Sequence, residues 1–195
     1  MAIKSSGSTG VEVPAGTQVS WRVREAAFEQ DGKYGPTVEL DLDVVTEAYA
    51  GAETKYWCRI QRPRIDKVAK LRGEGADDEM IEAILRKQSY EFENLDDPDE
   101  MLVSRAGALY SILMAAQGGT QGAEKVLASC DTFDDLAFRL VGGRFVGTTR
   151  QSPDGYLRLD ASEDIFVDKD PRAEHDRDLA ALPYDAEEAP LPEYE

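Results

Sequence analysis

Apolar and polar side chains alternate along three runs in the first third of the chain, as they do in half-buried β-strands. The apolar positions of these runs are Val19, Trp21 and Val23, then Val38, Leu40, Leu42 and Val44, then Tyr56, Cys58 and Ile60. Turn-forming residues separate the runs at 31–36 and at 49–52. The alternation predicts a three-stranded antiparallel meander over residues 17–60, with Trp21 on its core side.

The middle of the chain carries helical spacing instead. A first helix is predicted after a capping residue at Asp77, with apolar side chains at Met80, Ile81, Ile84 and Leu85. A second helix is predicted to begin at Asp97 and Pro98 and to end at the glycines 118–119. Its apolar face would hold Met101, Leu102, Leu109, Ile112 and Leu113. Thr120 is expected to cap a short third helix.

Strand-type sequence returns at 141–150 and at 156–159, with a turn signal between the two runs. Glycines in the first run indicate a bulge or a tight bend, as at the corner of a barrel. The element order is therefore three strands, a helical insert at about 65–131, and two strands. We predict a mostly β protein: a five-stranded OB-fold barrel with helices between strands three and four, followed by a disordered acidic C-terminal tail.

Charge is distributed unevenly along the 195 residues, in which 22 Lys and Arg stand against 39 Asp and Glu, a net charge of −17. Residues 160–195 hold −10 and residues 74–100 hold −9, whereas residues 55–72 hold +6. Since the local field steers a ligand more than the total charge does, the net charge does not exclude nucleic acid as a partner. We predict a flexible lead-in at 1–16, the folded domain at 17–159 and the acidic tail at 160–195.

Several classes of function are disfavoured by what the sequence lacks. Cys58 and Cys130 lie far apart with no Cys-x-x-Cys pair, so neither a disulfide framework nor a zinc site is expected. The single histidine, His175, lies in an acidic polar stretch, which argues against a Ser-His-Asp or Cys-His mechanism. No apolar run approaches the roughly 20 residues of a membrane span. The sequence predicts no enzyme activity, no cofactor, no metal and no membrane association.

Aromatic rings and cations share the predicted outward positions of the strands. These positions are Arg22, Arg24, Lys55, Trp57, Arg59, Arg144, Arg150, Tyr156 and Arg158. The turn at 31–36 adds Lys33 and Tyr34, and the basic stretch adds Arg62 and Arg64. Rings that stack on bases, with cations that follow the phosphates, are what sequence-tolerant binding of a single strand needs. The alternative is that Trp57 covers an apolar edge and the charges are merely solvated.

The second strand argues against nucleic acid, because Glu39, Asp41 and Asp43 are predicted to point outward and would repel phosphates. Either this face lies outside a binding groove, or the helical insert covers it, or the nucleic-acid hypothesis is wrong. The competing hypothesis is a protein-interaction module, such as an accessory or virion protein or an acidic DNA mimic that inhibits a host nucleic-acid enzyme.

Three segments carry a resemblance to a known family: 32–40 with 44–51, then 104–113, then 133–136 with 140–146. On these segments the chain resembles the OB-fold single-stranded-DNA-binding proteins of bacteriophages, especially tailed phages of actinobacteria. The resemblance implies a protein that coats single-stranded DNA non-specifically during phage replication or recombination, in the cytoplasm of the infected bacterium. Homo-oligomerisation stays open.

The acidic tail also resembles those of bacterial and phage single-strand binders. It is expected to recruit replication or recombination proteins, or to mask the DNA groove, through its last residues: Pro192, Glu193, Tyr194 and Glu195. This tip departs from the acidic Ile-Pro-Phe ending of the bacterial proteins. The long insert and the acidic second strand are further departures.

Overall fold

The computed structural model of the protein describes residues 2–4, 11–30, 35–60, 64–91 and 102–170. The strands are β1 (Ala2–Lys4), β2 (Glu12–Pro14), β3 (Gln18–Glu29), β4 (Thr37–Val44), β5 (Glu53–Arg59), β6 (Ser89–Glu91), β7 (Leu102–Ser104), β8 (Arg144–Gln151), β9 (Leu157–Asp160) and β10 (Phe166–Val167). The helices are α1 (Arg64–Gly73), α2 (Asp78–Gln88), α3 (Ala108–Ala116), α4 (Thr120–Ala128) and α5 (Phe133–Leu140), and a 3₁₀ turn at Glu47–Tyr49 joins β4 to β5.

The predicted meander is confirmed: β3 pairs antiparallel with β4, and β4 pairs antiparallel with β5. Side chains alternate as expected, so that the apolar residues of β4 are buried while its acids point to the other side. The register of β3 against β4 shifts between Val23 and Glu25, which leaves Arg24 as an extra residue in a β-bulge. The bulge increases the local twist of β3, and twist of this kind helps a sheet to curve.

Strands β3, β4, β5, β8 and β9 form a nearly closed antiparallel barrel. β8 pairs with β3 on one side and with β9 on the other. The gap between β9 and β5 is bridged by the hydroxyl of Thr54, which donates to the carbonyl oxygen of Leu157 at 2.7 Å. Along the chain, the helices α1–α5 lie between β5 and β8.

Trp21 is fully buried in the barrel, which confirms its predicted core position. Its indole Nε1 donates to the carbonyl oxygen of Gly147 at 3.2 Å. A Cβ atom at Gly147 would lie 2.7 Å from Cδ1 of Leu159, so a larger residue here would require the buried Leu159 side chain to move. The glycine-containing run predicted to mark a barrel corner therefore leaves room for Leu159 beside the core tryptophan.

Helix α5 packs against β3, and its first residue Phe133 stacks on Phe28 with the ring centroids 5.1 Å apart. The pattern of apolar residues did not predict this helix. The feature of the sequence that could have predicted α5 is the pair Thr132 and Asp135, which forms a capping box. The Thr132 hydroxyl accepts from the Asp135 backbone N–H, and the Asp135 carboxylate accepts from the Thr132 backbone N–H. This box fixes where α5 begins.

The predictions for the helical insert are partly right. Asp77 caps α2 as expected, since its carboxylate accepts from the backbone N–H of Met80 at 2.8 Å. Leu102 does not share a helix with Leu109: it lies in β7, which pairs antiparallel with β6. Thr120 is the first helical residue of α4, and the capping position belongs to Gly119 at φ +130°, which a residue with a Cβ rarely adopts. The expected helix start at 97–98 lies outside the described residues.

Two hydrophobic cores are present in the described residues. The main core fills the barrel and the space under α3–α5, whereas a small one holds Ile81 and Leu85 of α2 against Val68, Leu71 and Ala76. Both cysteines are free and buried, as the sequence predicts. Burial raises the pKa of both thiols, that of Cys130 to about 11.

The ends of the body differ from the predicted boundaries. Residues of the expected lead-in form the antiparallel pair β1–β2, and Val13 is buried in the main core. At the other end the fold continues past residue 160, because β10 pairs with β8. Residues 5–10 and 171–195 lie outside the described part, so the flexible and disordered character expected of them stays a prediction. None of the helices in the described ranges is long and apolar enough to cross a bilayer.

Candidate nucleic-acid interface

The outer surface of β4 and β5 brings the candidate cations, the exposed tryptophan and the disputed acids together. We define the β4–β5 face as the outward side chains Glu39, Asp41 and Asp43 of β4 and Glu53, Lys55, Trp57 and Arg59 of β5. In the register of the two strands, Asp41 lies opposite Lys55 and Glu39 lies opposite Trp57. Side chains directly opposite each other in an antiparallel pair are in contact distance. The acids of the second strand therefore lie within the candidate site, where the sequence left their position open.

Trp57 is the exposed tryptophan of this face, with 44% of its surface accessible, whereas Trp21 has none. Its indole Nε1 donates to Oε2 of Glu39 at 2.8 Å, which fixes the edge of the ring and leaves much of its surface to solvent. A ring held in this way at the surface of a sheet is a stacking platform for a planar ligand.

Lys55 contacts two carboxylates of β4. Its ammonium donates to Oε1 of Glu39 and lies 3.3 Å from Oδ1 of Asp41. The hydrogen bond to Glu39 raises the pKa of Lys55, and the same hydrogen bond lowers the pKa of Glu39, with a smaller contribution from the Trp57 N–H. Glu39 therefore stays ionised and serves the cation and the ring at the same time.

The two arginines of β3 point outward as predicted and are also paired with acids. Arg22 binds Asp43 through two hydrogen bonds, Nε to Oδ1 at 3.1 Å and Nη2 to Oδ2 at 2.7 Å. Arg24, in the bulge, pairs with Glu53. The β4–β5 face holds two cations, Lys55 and Arg59, against the four carboxylates of Glu39, Asp41, Asp43 and Glu53. The neighbouring strand β3 adds Arg22, Arg24 and Glu25, the last of which lies opposite Asp41, so that four cations stand against five carboxylates. The outer surface of these three strands thus carries a small excess of negative charge.

The β8–β9 hairpin, beside β5, presents a second ring with cations. Tyr156 is half exposed, and the guanidinium carbon of Arg158 lies 5.9 Å from the centre of its ring. Nη1 of Arg158 donates to the Thr54 hydroxyl at 3.0 Å, which ties this arginine to β5. Arg150 lies directly opposite Arg158 in the register of β8 and β9. Among the described residues no carboxylate lies within ion-pair distance of either arginine, although the charge of Arg150 contributes to the lowered pKa of Asp160. Like charges facing each other favour a bound anion.

Arg144 does not belong to the surface, which corrects the prediction of an outward position. Its side chain is 8% exposed and pairs with Asp168 at 3.1 Å and Asp170 at 3.5 Å. The Ser20 hydroxyl donates to the same Asp168 carboxylate at 2.8 Å. The chain around β10 covers this part of β8, and its acids neutralise the arginine beneath it.

Other predicted site residues fall outside what the structure describes. Lys33, Tyr34, Arg62 and the tail residues 192–195 are in the undescribed ranges, and of Arg64 only its place at the start of α1 is described. Further along the basic stretch, Lys70 pairs with Glu74 at 3.8 Å and Arg72 with Asp78 at 2.8 Å. These two cations at the end of α1 are thus paired with nearby acids, as on a solvated helix.

Sequence reasoning missed one charged side chain of this surface, Glu53, and two buried polar side chains beneath the surface of the barrel, Thr54 and Asp168. Glu53 could have been found, since it shares the outward parity of Lys55 and Trp57 on β5. The hydrogen bond of Thr54 to Leu157 and that of Ser20 to Asp168 join residues 103 and 148 positions apart. Alternation along a single strand does not predict contacts of this kind.

Comparison of the chain with protein families, with curated proteins and with solved structures gave no match. In the ranges that the structure describes, no group of three or more His, Cys, Asp or Glu side chains is arranged to hold a metal ion.

Proposed function

We propose that this protein binds single-stranded DNA, without preference for base sequence, across the β4–β5 face and the adjoining β8–β9 hairpin. The observation that carries the proposal is the half-exposed Trp57 in the middle of a face built by the second and third strands of a five-strand barrel. OB folds bind oligonucleotides on the face of these two strands, together with the loops after the first and fourth strands. The barrel, its strand order and its helices between the third and fourth strands support an OB fold here.

Stacking supplies the affinity in this proposal. Bases would stack on Trp57 and Tyr156, and each such contact is worth about 1–3 kcal/mol. Arg150 and Arg158, which face each other beside Tyr156, would hold a phosphate between the two rings. Because these contacts use ring faces and backbone phosphates, they carry no sequence preference.

The biological role in the proposal rests on the sequence resemblance to phage single-strand binders. Coating of transient single strands during phage replication or recombination needs tolerance of any base sequence, which stacking provides. The acidic residues beyond 170 would serve partner proteins of the same processes. Neither role needs catalytic turnover, so no enzyme activity is proposed.

The direct test is fluorescence anisotropy of labelled oligo-dT titrated with the full chain, in wild-type and Trp57→Ala forms. We expect Trp57→Ala to weaken binding by roughly 5- to 100-fold, the loss of one stacked base. Phe138→Ala is the matched control, since Phe138 is 61% exposed on α5, away from the β4–β5 face. Equal affinity of Trp57→Ala and wild type, at equal thermal stability, would contradict the proposal.

One observation favours a second function, a protein-interaction module that presents carboxylates to a partner. Carboxylates outnumber cations on the β4–β5 face, whereas proteins that bind DNA mainly through phosphates carry an excess of cations at the contact surface. This alternative predicts no salt-sensitive binding of oligo-dT at micromolar protein. It also predicts a phage or host protein that copurifies after nuclease treatment and is lost with Glu39→Lys.

A further inference from the structure

Glu39 divides its two oxygens between the two groups that the proposed DNA site needs. Oε1 accepts from the ammonium of Lys55, and Oε2 accepts from the indole N–H of Trp57 at 2.8 Å. The Glu39 side chain is 21% exposed, so it sits at the surface where a ligand would arrive. In the described residues, no other carboxylate contacts both a cation and a ring of this face.

A DNA phosphate and a glutamate carboxylate are acceptors of the same kind for an ammonium group. Lys55 already faces two carboxylates, those of Glu39 and Asp41, so an arriving phosphate would place a third anion around one ammonium group. Repulsion among three anions favours the departure of one of them. The Glu39 carboxylate, which makes the closer of the two contacts with the ammonium, holds the position that a phosphate would take.

We propose that Glu39 is an internal competitor of DNA: its carboxylate occupies Lys55 in the free protein, and a phosphate replaces it in the complex. This inference rests on the proposed function. It explains why acids can lie in the middle of a DNA-binding face, since they hold the cation and the ring in place until DNA arrives.

The exchange has a signature in the salt dependence of binding. Each phosphate neutralised on a single strand normally releases cations and adds about 0.7 to the slope of log K against log salt concentration. When a phosphate replaces Glu39 at Lys55, DNA releases a cation, but the freed Glu39 carboxylate attracts a cation from solution. The net number of cations released at this contact is therefore small. The contact at Lys55 therefore contributes little to the slope in the wild-type protein.

The variant Glu39→Gln removes the competing charge and keeps the size of the side chain. Asp41, 3.3 Å from the ammonium, continues to hold Lys55 on the face in this variant. We expect Glu39→Gln to bind oligo-dT about two- to five-fold more tightly at low salt, the effect of one exposed ion pair. The slope against salt should become steeper by up to about 0.7.

Two controls separate competition from a general charge effect. Glu79→Gln makes the same charge change at an exposed position of α2, a helix whose buried residues belong to the small second core, and should leave affinity unchanged. In a Lys55→Gln background, Glu39→Gln should give no gain, because the competed cation is gone. Glu39→Ala, a second variant without the carboxylate, should shift affinity in the same direction as Glu39→Gln.

The outcomes distinguish this inference from the proposed function. If wild type binds oligo-dT and Trp57→Ala weakens binding, but Glu39→Gln binds no more tightly, the function stands and the competitor role is wrong. An equal gain in Glu79→Gln, or a gain that persists without Lys55, also overturns the competitor role. If wild type does not bind oligo-dT at all, the proposed function and this inference both fail.

Discussion

The ion pairs of the β4–β5 face and the ion pair beneath β10 use the same chemical groups in opposite environments. In the pair beneath β10, the side chains of Arg144 and Asp168 are 8% and 5% exposed. In the pair on the face, the side chains of Lys55 and Glu39 are 52% and 21% exposed. Water can replace a lost partner at the second pair, whereas it reaches the first pair poorly.

This difference in exposure separates an ion pair that stabilises the fold from an ion pair in which a ligand can replace one partner. An exposed ion pair contributes roughly 0–1 kcal/mol, so an incoming anion can replace one member at small cost. A buried pair that loses one member leaves a charge without compensation, at a cost of about 3–5 kcal/mol. Arg144, which the sequence predicts to bind DNA, is therefore part of the fold, and the cations of the proposed site are the exposed ones on β5 and on the β8–β9 hairpin.

The largest effect is expected from Asp168→Asn, which leaves Arg144 without its nearest anion. Asp170, at 3.5 Å, compensates in part, so we expect a loss of roughly 3 kcal/mol in the free energy of unfolding. Urea denaturation measures it, with the exposed Asp164→Asn as the control in the same segment. A loss no greater than that of the control would show that β10 does not depend on the pair.

Period-2 alternation predicted the faces of β3, β4 and β5 correctly, because burial of one side of a sheet is visible within a single strand. The partners on the outer face were not predictable in this way. These partners depend on the register of the strands, which places Asp41 opposite Lys55. In the same way, the bulge at Arg24 allows this arginine to pair with Glu53.

Two errors have a common physical cause, which is contact between segments distant in the chain. Alternation predicted that the Arg144 side chain points outward to solvent, but β10, about 20 residues further along the chain, pairs with β8 and covers it. Leu102 had helical spacing relative to Leu109, yet its backbone pairs with β6. A short apolar run is compatible with either element, and tertiary pairing decides between them.

An intermediate effect is expected from Asp43→Asn, since Asp43 is nearly buried but its partner Arg22 is half exposed. The variant keeps the shape of the side chain but replaces one carboxylate oxygen with an amide NH2, so it loses the negative charge and one of the two hydrogen bonds from Arg22. We expect about 1 kcal/mol less stability, between the costs for the buried and the exposed pair. Thermal unfolding at matched pH checks this value, with Glu163→Gln as an exposed control. A loss as large as that of Asp168→Asn would remove the distinction between the two regions.

The smallest effect is expected from the exposed pair itself, and pH reveals it. The hydrogen bond from Lys55 holds the pKa of Glu39 below its usual value of 4.5, so the pair stabilises the folded state above pH 4.5 and this contribution is lost as pH falls through the lower, folded-state pKa. The pKa of Lys55 is raised, so its contribution to stability is lost only as pH rises above the usual 10.5, through the raised pKa.

At pH 7, the unfolding free energy of the wild type should exceed that of Glu39→Gln by less than about 1 kcal/mol. Below pH 4.5 the difference should shrink. If the difference in unfolding free energy between wild type and Glu39→Gln is constant from pH 7 to pH 3, the ionised Glu39 carboxylate does not stabilise this face. The exposed pair would then contribute nothing to stability, and only the buried pair would do so.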